Sequence, residues 1–105
     1  MIVRIVSIQM KPGHEGLFHA SLRSELDILR AQEGLVYVKA ARRLLEDGGE
    51  EVVLMEEWAT SAHLHAWAGP ELTRPRLLPD VERRLTEATR SVDVTHYEAI
   101  DLTPE

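Results

Sequence analysis

Residues 2–10, IVRIVSIQM, constrain the fold more than any other stretch. Branched aliphatic residues favour extended backbone, and LysProGly at 11–13 ends the run. Alternate residues of a strand point to opposite faces. One face then carries Val6, Ile8 and Met10, and the other Val3 and Ile5. A sheet with one wet face shows polar residues on that side. A strand that is apolar on both sides predicts a sheet covered on both sides. LVYVKAARRLL at 35–45 reads likewise, with Leu35, Tyr37 and Ala41 against Val36, Val38 and Ala40. Helices of the same chain can cover one face. The simplest cover for the other is a second copy, so a homodimer is expected.

The remaining segments alternate between the two periods. His14–Gln32 has helical spacing, with Phe18, Leu22, Leu26 and Leu29 on one stripe widened by Leu17 and Ile28. Gly34 stands where a helix C-terminus commonly takes a glycine. EDGGE at 46–50 reads as a hairpin turn and EVVLMEEW at 51–58 as a third strand. Thr60 can cap a short helix to Ala68, ended by Gly69 and Pro70. Prolines punctuate 69–79, and whether that segment is a lid is left open. Pro79 suits the first turn of a helix carrying Val81, Leu85 and Ala88, and SVDVTHYEAID at 91–101 makes a fourth strand. The order βαββαβ predicts an α+β, ferredoxin-like domain with an antiparallel sheet. No linker or repeat divides residues 1–105, which read as a single domain.

Composition removes several function classes. Without cysteine there is no disulfide, thiolate metal site, iron–sulfur cluster or thiol nucleophile. Twelve basic against eighteen acidic residues give a net charge of −6, which disfavours nucleic acid and anionic membranes as partners. The pairs Arg42–Arg43 and Arg83–Arg84 are too small to reverse this and read as solvated faces. No apolar run is long enough to span a bilayer and no signal peptide opens the chain, so a cytoplasmic protein is expected. Neither GxSxG nor a phosphate-cradling glycine loop is present.

EEWATSAHLHAWAG at 56–69 holds both tryptophans and two of the five histidines. His63 and His65 are two apart, about 200° around a helix, and cannot grip one ion. No metal site is expected. Leu64, Trp67 and Ala68 share a face that should lie on the sheet, and His63 flanks it one turn before Trp67. Trp58 reads as core beneath the short helix. Trp67 and His63 can also wall an apolar pocket with one polar handle. On the last strand His96 and Glu98 share a face and Tyr97 takes the other. That His–carboxylate pair can serve acid–base chemistry or a polar edge.

Taken together, these motifs resemble a known family. The opening IVRI strand, LysProGly, the long amphipathic helix, GluGly at 33–34, GluGluTrp at 56–58, AlaTrpAlaGly at 66–69 and HisTyrGlu at 96–98 are similar to antibiotic biosynthesis monooxygenases. The resemblance covers nearly the whole chain and implies ferredoxin-like subunits paired into a dimeric α/β barrel. It also implies O₂-dependent oxidation of a small aromatic or quinol with no prosthetic group. His63 or His96 would then act as base, with Trp67 at the catalytic slot and Tyr37 or Arg74 binding substrate. A haem-degrading branch wants an early asparagine, where Val6 and Ser7 stand, and an iron-ligating histidine where Leu77 stands. No cofactor is therefore expected. A non-catalytic barrel that binds a small apolar ligand is the alternative.

Overall fold

The computed structural model describes residues 1–69, 83 and 87–102, with the backbone alone at 15–17. The elements are β1 (Ile2–Met10), α1 (Glu15–Arg30), β2 (Leu35–Leu44), β3 (Glu50–Trp58), α2 (Ser61–Ala68) and β4 (Thr89–Glu98). Glu87 and Ala88 are helical immediately before β4. The four strands form one antiparallel sheet in the order β2-β3-β1-β4, the ferredoxin-like arrangement that the element order predicts.

Period-two patterning decides the two faces. On the central strands, Arg4, Val6, Ile8 and Met10 of β1 are buried, as are Glu50, Val52, Leu54, Glu56 and Trp58 of β3. The residues between them are half-buried. Val6, Ile8, Met10, Val52 and Leu54 pack against Phe18 and Leu22 of α1. A second cluster joins Leu29, Trp58, Leu64 and Trp67, tying α1, β3 and α2 together. Each such side chain contributes about 1.5–3 kcal/mol on burial.

Three local features depart from the sequence reading. The register slips between Leu35 and Tyr37, so Leu35 pairs with Trp58 while Tyr37 pairs with Glu57. Strict alternation places Leu35 and Tyr37 together; the extra residue at Val36 separates them. Leu35 and Val38 join the inner core, and Val36 and Tyr37 are exposed. The first helix closes at Ala31 in a tightened turn, Ala31 N–H to Ile28 O and Gln32 N–H to Leu29 O, rather than at Gly34. The fourth strand starts at Thr89 and stops at Glu98, earlier at both ends than 91–101. The 69–79 segment and the body of the helix expected from Pro79 lie outside the described residues, apart from Gly69.

Candidate functional site

The edge strand β2 is where the inner face opens. Its residues are mostly exposed, while Leu35 and Val38 pack against the inner clusters. Ala40, paired with Leu54, adds almost no side chain there. The result is a cleft of about 240 Å³ lined by His19, Leu22, Arg23, Leu26, Ala40, Ala41, Arg42 and Val52.

One end of this cleft is polar and tightly connected. Glu50 is in phase with Val52 and Leu54 and is fully buried. A lone buried carboxylate is costly, so it needs partners. His19 Nε2 lies 2.5 Å from Glu50 Oε1, and Arg42 Nη1 donates to Oε2 at 3.1 Å. Both partners remain partly open to the cleft, with side chains 35% and 58% exposed. If Nε2–H donates to the carboxylate, Nδ1 carries the lone pair of a neutral imidazole. A histidine so oriented beside an apolar floor is suited to moving a proton.

The expected site residues fall elsewhere. Trp67 is buried and stacks on Trp58 at 6.5 Å between ring centroids and 23° between planes. His63 packs against Gly34 so closely that an added Cβ would overlap its ring. The Thr60 hydroxyl accepts the His63 backbone N–H at 3.1 Å and lies 2.8 Å from His63 Nδ1. His63 thus anchors the start of α2 on the α1–β2 connection, and neither it nor Trp67 lines either cleft described here. Tyr37 is on the outer face in one row with Glu57, Val3 and Tyr97. Arg74 lies outside the described residues.

His96 does face a cleft, a shallower one of about 450 Å³ lined by Met1, Ile2, Thr60, Ser61, His96, Tyr97 and Glu98. It pairs in register with Arg4, which pairs in turn with Glu56. Its Nε2 is buried with no hydrogen-bond partner among the described residues. Burial, then the Arg4 and His65 charges, hold its imidazole below the ordinary histidine range. Glu56 accepts the Trp58 indole N–H at 3.0 Å, and burial pushes its carboxyl up. Among the described residues no three His, Asp or Glu side chains converge as a metal would require. No helix of the described residues is long and apolar enough to cross a membrane.

His19, Arg42 and Glu50 are the residues that the sequence reading passed over. The available signal was phase: a carboxylate two residues before Val52 on a strand whose even positions face inward.

The fold recurs among solved structures. A Deinococcus radiodurans protein described as a candidate antibiotic biosynthesis monooxygenase aligns at TM-score 0.75 and 16% identity, covering 100% of this chain and 98% of that one. PA3566 from Pseudomonas aeruginosa aligns at 0.73 and 17%, covering 95% and 94%. SnoaB, a cofactor-independent oxygenase from Streptomyces nogalater, aligns in a mutant form at 0.66 and 13%, covering 99% and 97%. No curated protein sequence matches significantly. The family profile for antibiotic biosynthesis monooxygenases matches residues 1–72, well over half of the sequence, and the chain belongs to that family.

Proposed function

We propose that the chain is a monooxygenase that needs no cofactor and oxidises a small electron-rich aromatic or quinol with O₂ in the His19 cleft. The observation that carries this reading is the His19–Glu50 contact of 2.5 Å at the end of an apolar cleft. Nδ1 of His19 takes a proton from an acidic ring position or a phenol. Glu50 holds the imidazole in place and stabilises the imidazolium that forms. The free N–H groups of Arg42 face the charge developing on the substrate oxygen. The electron-rich anion then gives an electron to O₂. For a methylene between two aryl rings, one oxygen atom stays as the carbonyl and the other leaves as water with both hydrogens. Leu22, Leu26 and Val52 keep water from the anion.

Two copies pair through their outer faces in this reading, covering Val3, Ile5, Val53 and Met55. This agrees with the half-burial of these four in the isolated chain.

Oxygen uptake over a panel of anthrones and hydroquinones tests the proposal. Wild type should exceed the blank, and His19→Gln should lose about 10²–10⁴-fold. Uptake insensitive to His19→Gln and lost in His96→Gln would transfer the reaction to the second cleft. No uptake with any compound would favour the ligand-binding barrel.

A further inference from the structure

The charge around the His19 cleft runs against that of the whole chain. The protein carries −6, yet two guanidinium groups, Arg23 from α1 and Arg42 from β2, line a cleft of only about 240 Å³. The carboxylate at the cleft's end is already engaged: Glu50 is fully buried between His19 and Arg42. Asp27, one turn beyond Arg23 on α1, pairs with Arg30. Among the described residues no carboxylate pairs with Arg23, which is exposed at the rim. An apolar floor with one uncommitted cation at its edge suits a ligand with an apolar body and one anionic group.

We infer that the substrate of this cleft is an aromatic acid, its carboxylate held by Arg23 and its ring resting on Leu22, Leu26, Ala40 and Val52. The inference rests on the reading of this cleft as the reaction site. The volume is below the roughly 300–1,000 Å³ of drug-sized pockets, so the ring system is compact. Bound this way, the ring extends from the α1 rim towards His19 and Arg42, where the proton is taken.

Calorimetric titration without turnover separates this claim from the monooxygenase reading. The probes are 2-naphthoate and 2-naphthol, and the proteins are wild type, Arg23→Gln and Ala40→Trp. Ala40 is exposed, so its replacement fills the cleft without disturbing packed residues. The expected result is naphthoate binding at least tenfold tighter than naphthol. Arg23→Gln should bring the two within about threefold, and Ala40→Trp should weaken both. Equal affinities, both lost in Ala40→Trp, would overturn the aromatic acid and leave the cleft standing. A naphthoate preference that survives Arg23→Gln would overturn the role of Arg23. Binding of both probes unchanged by Ala40→Trp would remove the cleft as the ligand site, and the inference with it.

Discussion

His19 on α1 and Glu50 on β3 are separated by 31 positions in the chain and by 2.5 Å in space. The contact joins a half-exposed base to a fully buried carboxylate, so the two residues should fail in different ways. Glu50→Gln keeps the size and removes the charge. We expect a loss of about 1–3 kcal/mol in stability from the orphaned hydrogen bonds. Activity should fall about 10–100-fold, less than the fall for His19→Gln, because the imidazole stays but is no longer held. Chemical denaturation and kcat measured on the same preparations check both values. Equal activity losses with no stability difference would contradict this division of roles.

Trp67 provides a second prediction. It lies in the cluster with Trp58, Leu29 and Leu64, so truncation should act through packing. Trp67→Ala should cost about 3–5 kcal/mol. Trp67→Phe should keep the fold and, under the His19 proposal, most of the oxygen uptake. A folded Trp67→Phe protein without uptake would place Trp67 at the chemistry.

The close approach of Gly34 and His63 predicts a coupling. Gly34 has φ +85°, and a Cβ there would overlap the imidazole. Gly34→Ala therefore meets two penalties, a strained backbone of about 1–3 kcal/mol and a steric clash. His63→Ala removes the overlap with the ring and leaves the one with the Cβ of residue 63. The double variant should be more stable than the sum of the two single losses allows, by about 0.5–3 kcal/mol, as unfolding of all four proteins will measure. Strict additivity would mean that the imidazole simply swings aside.

Glu56 predicts a pH dependence. Burial pushes its carboxyl above the ordinary value, while the Trp58 indole and the Arg4 charge pull it back less strongly. A carboxyl raised in the folded state contributes stability fully present below its unfolded pKa. That contribution is lost as pH rises through the folded pKa. Wild type should therefore lose stability relative to Glu56→Gln as pH rises from about 4 towards neutrality. Urea unfolding of both proteins across that range gives the difference directly, and a flat difference would remove the raised carboxyl.

The outer face predicts the assembly. Val3, Ile5, Val53 and Met55 form its apolar centre, and Glu51 closes one end by accepting from Gln9, Ser7 and Arg43. Ile5→Glu should place a charge in the middle of a dimer contact and shift sedimentation to the monomer. A protein that is monomeric before the substitution would refute the paired barrel.

These cases show how far the sequence could be read. The strands, their order and the inward phase of Val6, Ile8 and Leu54 follow from period-two patterning, a short-range property. The bulge at Val36 does not, because nothing in LVYVK marks an extra residue. The site was less legible still. The pairing of His19 with Glu50 depends on how α1 crosses β3, which no local spacing encodes. Arg42 reads as a solvated charge until the exposed edge beside Ala40 is known. His63 and Trp67 drew notice through residue type, and the fold assigns the first to an anchor and the second to a stack.

Glu50 and Glu56 stand at opposite ends of the inner face of β3. They are six residues apart, about 20 Å along a strand. Val52 and Leu54 lie between them, flanked by Val6 and Ile8. At that distance two unit charges couple by only about 0.8 kcal/mol at an effective dielectric of about 20. Arg4, Glu56 and His96 can therefore be altered to set the pH range in which the protein survives, without disturbing the proton transfer proposed at His19. Acid tolerance and the proposed reactivity are adjustable separately in this small domain.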